Sequence, residues 1–315
     1  MIRSEAEMSV SGLVFDLQRY CLHDGPGIRT VIFLKACPLA CVWCANPESQ
    51  RPQPELMLTS RPCLFCEECV KVCPREAITL DSSETPLPVP IINWSLCDLC
   101  LDCVDVCVSG TLSQIGQVFS LAEVMDIVWL DQPFYARSGG GVTLSGGEPT
   151  AQPEFSHAIL EACKTLSIHT VIETSGFCDW DSLGLLLHCT DLIYFDLKQI
   201  NSTLHGQYTG KSNERILENL RRLVISHDNI IVRFPLIPGY NDDDDQLLDV
   251  ASYLASIDPH LKLELIPFHQ LGCSKYVRLG RTYALEGTAP IALDRRVERE
   301  QFLQSHGVNI VQPMR

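Results

Sequence analysis

The 315-residue chain predicts an α/β fold, a parallel sheet or barrel interrupted by one small cysteine-rich insert. Three observations predict it. Apolar strand-like runs alternate with amphipathic segments after residue 118, the sign of parallel strands joined by helices. Glycines or reactive side chains stand just past the ends of five of the runs, where such sheets keep their sites. Residues 51–116 break the pattern, holding eight of the 16 cysteines with little helical or strand periodicity.

Residues 28–34 read as the first strand, ending just before Cys37. Residues 142–144 run into Ser145-Gly146-Gly147-Glu148-Pro149, and 168–172 end at Glu173. Residues 192–195 end at Asp196; 230–234 and 261–266 follow, the last reaching Pro267-Phe268-His269. Amphipathic helices are expected near 153–166, 180–188, 213–225 and 245–256. The run Asp242-Asp243-Asp244-Asp245 follows a Pro-Gly turn and reads as a helix start, where carboxylates meet the positive end of the macrodipole.

A hydrophobic content of 46% supports a full core. The formal charge of −15 repels polyanions, and basic runs stop at pairs such as Arg221-Arg222 and Arg295-Arg296, so nucleic acid is not an expected partner. No apolar run is long enough to cross a membrane, and the start, Met1-Ile2-Arg3-Ser4-Glu5-Ala6-Glu7, lacks an apolar stretch for export. The expectation is a cytoplasmic protein without a membrane partner. A disulfide framework suits small secreted chains, so metal ligation is the better account of the clustered cysteines. Cys21, Cys163, Cys178, Cys189 and Cys273 are scattered and read as small apolar core residues.

The clustered cysteines form three groups. Cys37, Cys41 and Cys44 make C-x3-C-x2-C, with three ligands only. Cys63, Cys66, Cys69 and Cys73 make C-x2-C-x2-C-x3-C, and Cys97, Cys100, Cys103 and Cys107 repeat that spacing. Three short intervals in a row, duplicated, favour [4Fe–4S] clusters over two zinc sites. A four-cysteine set saturates its irons and carries electrons, whereas a three-cysteine set leaves one iron open for chemistry. The duplicated segment resembles bacterial two-cluster ferredoxins, including Cys73-Pro74, with Val108 at the second proline position. That resemblance implies that the fourth cysteine of each run crosses over. Cys63, Cys66, Cys69 and Cys107 then share one cluster, and Cys97, Cys100, Cys103 and Cys73 the other.

The loop Cys37-Pro38-Leu39-Ala40-Cys41-Val42-Trp43-Cys44 resembles the cluster loop of the radical S-adenosylmethionine (SAM) superfamily, and Gly146-Gly147-Glu148-Pro149 resembles its GGEP segment. Asp24-Gly25-Pro26-Gly27-Ile28-Arg29, Asp196-Leu197-Lys198, Arg233 with Pro238-Gly239-Tyr240-Asn241-Asp242, and Pro267-Phe268-His269 narrow the resemblance. They are similar to segments of the glycyl radical enzyme activating enzymes, the pyruvate formate-lyase activase-like branch with a ferredoxin-type insert. The resemblance runs from about Gly12 to Tyr283 and implies a partial (βα)6 barrel from 1–50 and 117–315, with a ferredoxin-like two-cluster domain at 51–116. It implies three [4Fe–4S] clusters and SAM as cofactors. The activity implied is reductive SAM cleavage, then hydrogen abstraction by a 5′-deoxyadenosyl radical from a glycine loop of a partner glycyl radical enzyme. It further implies a monomer that takes electrons from a flavodoxin or ferredoxin.

Residue roles follow from the same resemblance. Cys37, Cys41 and Cys44 hold the catalytic cluster. Lys198 suits the SAM carboxylate, with Asp196 as acceptor beside it and Leu197 between them. Gly146 and Gly147 bring backbone to the methionyl end, and Glu148 positions that backbone or accepts from the SAM ammonium. Trp43 and Ala45 lie by the adenine, His269 by the adenosyl part, and Arg233 by the ribose or the incoming peptide. Asp24 holds the partner's glycine loop. Some relatives bind a monovalent cation beside SAM; the matching positions are Glu173, Thr174, Tyr194 through its carbonyl, and Asp196. Two other functions fit parts of the pattern: a radical SAM enzyme with a small-molecule or ordinary peptide substrate, and a non-catalytic iron–sulfur electron carrier.

Overall fold

The computed structural model describes residues 10–81 and 89–313; the charged start, residues 1–7, lies outside them. β1 (Ser11–Cys21) and β2 (Arg29–Leu34) form an antiparallel pair. β3 (Glu55–Leu58), α1 (Glu68–Val72), β4 (Ile78–Asp81), β5 (Val89–Ile92), α2 (Asp102–Asp105) and β6 (Leu112–Ile115) carry the eight cysteines between them. β7 (Gln117–Ser120) leads into α3 (Leu121–Ser138), whose Ser120 and Glu123 form a capping box. Then come β8 (Gly141–Gly146), α4 (Pro153–Thr165), β9 (His169–Thr174), α5 (Trp180–Leu187) and β10 (Leu192–Asp196). α6 (Ser202–Thr209), α7 (Glu214–Ser226), β11 (Ile230–Leu236), α8 (Asp244–Ile257), β12 (Lys262–Pro267), α9 (Cys273–Arg278), α10 (Leu293–Ser305) and β13 (Asn309–Ile310) complete the described chain.

Nine strands form one sheet in the order β13-β12-β11-β10-β9-β8-β2-β1-β7. Every pairing from β2 to β13 is parallel, and β1 is antiparallel to both neighbours. The strand expected at 28–34 is therefore second, not first. β1 escapes a sequence reading because Asp16 and Gln18 follow the buried Gly12 and Val14 on one face and Arg19 breaks the run on the other. The acidic run behaves as read: Asp243 caps α8, its carboxylate accepting from Gln246 N at 2.9 Å.

Period-two alternation gives the sheet two different faces. Ile32, Leu144, Ile172, Ile193, Phe195, Val232 and Phe234 point to one side and bury against the helices in the main core. The other side carries a small apolar patch of Val171, Leu192, Tyr194 and Ile231, followed towards the strand ends by polar groups. Register places Tyr194 beside Glu173, and Asp196 beside Arg233, which neighbours Glu264. Charges on a buried face persist only when paired, so this row marks the functional end of the sheet.

The cysteine-rich region is more ordered than its sequence suggests. β3 pairs with β6 and β4 with β5, giving two antiparallel two-stranded sheets. Leu56, Ile78, Ile92, Leu112, Cys69 and Cys103 form a core of their own. With strands of four residues, periodicity is too short to read.

Candidate functional site

β2 delivers the chain into the three-cysteine loop through Ala36, which takes a left-handed φ of 76°. The loop is then tied to the end of α6: Ala40 N donates to Thr209 O and Val42 N to Tyr208 O, both at 2.9 Å. Cys44 N donates to Cys41 O at 3.0 Å, tightening the turn. The three cysteines are free of disulfides and partly accessible. Burial pushes the Cys37 thiol up, with Cys41 as its next influence, and pushes Cys41 to about 12 against the pull of Lys198. Burial also raises Cys44. Thiols that raise one another's pKa in a confined space become thiolates together only when a metal compensates them. This donor set fits a [4Fe–4S] cluster with three protein ligands.

The strand ends close around that loop. Lys198 Nζ donates to Asp196 Oδ2 at 2.8 Å. Burial works against the ammonium, but Asp196 and Cys41 outweigh it and hold the lysine charged. Leu197 turns its side chain into the main core and offers only backbone to the site. Aromatic rings cover one flank: Trp43 meets Tyr208 and Tyr240 edge-on at 5.8 and 6.3 Å. Its Nε1 is buried with no acceptor among the described residues.

Residues 107–251 match the radical SAM superfamily. The chain is 40% identical over 281 residues, 87% of its length, to the isethionate sulfite-lyase activating enzyme of Oleidesulfovibrio alaskensis, of which 89% is covered. It is 39% identical over 290 residues to the choline trimethylamine-lyase activating enzyme of the same organism, with 91% of this chain and 93% of that one covered. The chain belongs to the radical SAM glycyl radical enzyme activating enzymes. It activates glycyl radical enzymes by radical SAM chemistry. A crystal structure of Streptococcus suis SuiB bound to the precursor peptide SuiA shares the fold, with a TM-score of 0.52 at 13% identity over 92% of this chain and 49% of that one.

Within this activating enzyme the glycines of the GGEP segment face protein. A Cβ on Gly147 would stand 2.3 Å from Ala36 O, and one on Gly146, at φ 103°, 2.6 Å from Leu34 N. Gly147 N donates to Leu34 O at 2.7 Å. Their smallness seats the segment on the start of the cysteine loop. Glu148 is spent in the same way. Its buried carboxylate accepts from Thr150 N and Oγ1, Thr174 Oγ1, and Ser175 N and Oγ. The carboxylate thus ties the turn after β8 to the end of β9 at Thr174 and Ser175.

Arg233 is a second buried hub. It donates to Glu264 at 2.9 Å and to Glu173, and lies 3.3 Å over the Tyr194 ring. Burial opposes its charge, but Glu173 and Glu264 more than restore it. Glu173 also accepts from Ser145 Oγ. Of the positions expected to hold a cation, Glu173 lies beside Tyr194 in the sheet and accepts from Arg233, and Thr174 Oγ1 donates to Glu148. Asp24 faces this hub; burial, then the Glu173 charge, raise its carboxyl to about 6. Arg29 is fully buried, donating to Thr143 Oγ1 at 2.6 Å and to the Pro26, Val142 and His169 carbonyls. His269 stands exposed past β12, and Ala45 touches the Gly272 turn.

Sequence reasoning missed one buried network. Lys35, fully buried, donates to Glu55 at 3.0 Å and to Glu48 O at 2.6 Å. Arg281 reaches the same Glu55 carboxylate, and Lys275 pairs with Glu48. The signal was a lysine directly after the apolar run Ile32-Phe33-Leu34.

In the cysteine-rich region the two halves repeat 34 residues apart in backbone as well as spacing. Phe65 and Glu67 take left-handed φ values of 56° and 63°, and Leu99 and Leu101 take 62° and 69°. Each such non-glycine residue costs on the order of 1–3 kcal/mol, a strain that a bound cluster would offset. Ala77 N donates to Cys73 Sγ and Leu112 N to Cys107 Sγ, both at 3.3 Å. Burial raises Cys69, and its nearest charged influences are Cys107, Cys63 and Cys66. Burial, then Cys97 and Cys100, raise Cys103 to about 12. The donor chemistry and the strained turns fit iron–sulfur clusters.

Among the described residues no helix is long and apolar enough to cross a membrane.

Proposed function

We propose that Cys37, Cys41 and Cys44 hold the catalytic [4Fe–4S] cluster, and that this chain serves a partner lyase or dehydratase with a small polar substrate. The convergence of the three-cysteine loop with the Asp196–Lys198 pair carries the reading. When bound, the cluster and SAM supply the one-electron cleavage whose product takes a hydrogen atom from the partner's glycine.

The chain's own residues bind, orient and exclude. Lys198, kept charged by Asp196, neutralises the SAM carboxylate at low dielectric. Asp196 fixes the ammonium and keeps an oxygen to accept from the ligand. Glu148 acts indirectly, by fixing the Thr174-Ser175 turn against the segment that carries Gly146 and Gly147. The Trp43 Nε1 donor supports placing the adenine beside Trp43 and Ala45, with His269 on the outer rim. Arg233, neutralised by two glutamates, forms the floor under the incoming glycine loop. Asp24, poised at about 6, holds that loop by a hydrogen bond in either protonation state.

The insert, 51–116, takes two further clusters. One is held by Cys63, Cys66, Cys69 and Cys107, supported by the closeness of Cys107, Cys63 and Cys66 to Cys69, whose thiol all three raise after burial. The other is held by Cys97, Cys100, Cys103 and Cys73. The exposed Cys66 and Cys100 make this face the entry for electrons from a flavodoxin or ferredoxin. The protein works as a cytoplasmic monomer.

The test is anaerobic reconstitution with dithionite, SAM and a panel of glycyl radical enzymes that includes isethionate sulfite-lyase and choline trimethylamine-lyase. We expect 5′-deoxyadenosine and a glycine-centred EPR doublet with one member. Full SAM cleavage by Cys41→Ala would overturn the cluster assignment. Cleavage without a doublet on any panel member would overturn the partner class.

A further inference from the structure

We propose that the helical outside of the barrel carries a zinc site built from His157, His188 and Cys189, remote from the strand ends. His157 sits on α4, and His188 and Cys189 follow the last turn of α5. Their donor atoms all lie within 4.8 Å of one another. Two imidazoles and a thiolate match the mixed nitrogen–sulfur preference of Zn(II).

The orientation of His157 argues beyond mere proximity. Its Nε2 faces Cys189 Sγ at 4.0 Å, while its Nδ1 stands 3.9 Å from Glu161 Oε2, one helical turn away. Metal-binding histidines use one nitrogen for the ion and donate the other to a carboxylate, which fixes tautomer and ring direction. Glu161 stands where that orienting carboxylate belongs. Donor atoms on a tetrahedral zinc lie about 3.3–3.8 Å apart, so the trio must close by about 1 Å. The exposed His188 ring, 5.5 Å from the His157 ring, is free to make that move, whereas Cys189 is buried and fixed.

Three protein ligands leave a fourth position. His188 also borders a cleft of about 540 Å3 lined by Thr190, Asp191 and His227, so water completes the shell from that side. Zinc here would clamp α4 to α5. α4 follows directly on the Pro149–Ala151 turn beside Glu148, so the clamp braces the helix behind the GGEP segment.

The experiment uses anaerobically purified protein with its clusters intact, equilibrated with micromolar zinc and desalted. Elemental analysis and zinc K-edge absorption are the readouts. The expected result is about one zinc per chain with a shell of one sulfur and three nitrogen or oxygen atoms. His188→Ala alters an exposed side chain and should lose the zinc without loss of iron. Cys189→Ser should remove the sulfur from the shell. Glu161→Gln should weaken zinc binding by about 10–100-fold. An all-sulfur shell would place the zinc in the cluster cysteines and overturn the proposal. Zinc retained in His188→Ala, or absent from the parent protein, would overturn it too.

Discussion

The molecule handles two sets of cysteines in opposite ways. The three-cysteine loop is held by the ends of other elements, with backbone bonds to α6 and the Asp196–Lys198 pair close to Cys41. The eight-cysteine region has its own small core and two-stranded sheets, and Cys66 and Cys100 face solvent. Confinement suits a site where a reactive species must meet one hydrogen atom only; exposure suits a relay that meets an external donor. On the proposed reading one ligand chemistry serves two ends, and the surrounding protein decides which.

The sharpest way to break the contrast is Cys41→Ala. It should abolish 5′-deoxyadenosine formation while iron falls only from about 12 to about 8 atoms per chain. Loss of all iron would mean that the two regions are not independent. Next comes Lys198→Ala, which removes a charged hydrogen bond and should raise the KM for SAM about 10–100-fold. An unchanged KM would move the SAM carboxylate elsewhere. Cys66→Ser combined with Cys100→Ser should spare dithionite-driven SAM cleavage yet slow turnover with reduced flavodoxin by about tenfold or more, the relay reading of clusters that carry electrons. Equal rates with both reductants would make the relay ornamental.

The smallest effect concerns pH. Asp24 has its folded pKa raised from 3.8 to about 6, so the folded state binds the proton more tightly than the unfolded chain. Its contribution to stability is fully present below about pH 4 and is lost as pH rises through about 6. Asp24→Asn should therefore gain Tm relative to the parent as pH rises from about 4 to about 6, while activation of the partner slows. A Tm difference that is flat across that window would show that Asp24 is not desolvated.

Much of this was legible from residue order. The spacings of Cys37 to Cys44 and of the duplicated runs carry their chemistry because ligand geometry constrains sequence separation. The strand-end positions of Gly146, Glu173 and Asp196 are readable because buried parallel strands are long apolar runs. What Glu148 and Arg233 touch was not legible. Their partners, Thr174 and Ser175 for one and Glu173 and Glu264 for the other, are chosen by register between strands distant in sequence. Gly147 shows the same gap: its need to be glycine was visible, but the atom it must clear, Ala36 O, was not.

The Lys35 network bears on how this enzyme can be re-engineered. Glu55 begins β3, the first strand of the cysteine-rich region, yet its carboxylate pairs with Lys35 and Arg281, both outside that region. Excising 51–116 would strand a fully buried ammonium, a loss of about 3–5 kcal/mol. The transplantable cassette lies inside the β3–β6 pair instead. Joining Leu58 to Leu112, which are partners across that pair, by a short turn would keep Glu55 in place and remove all eight cysteines. The β3–β6 pair is then a socket into which other modules can be grafted.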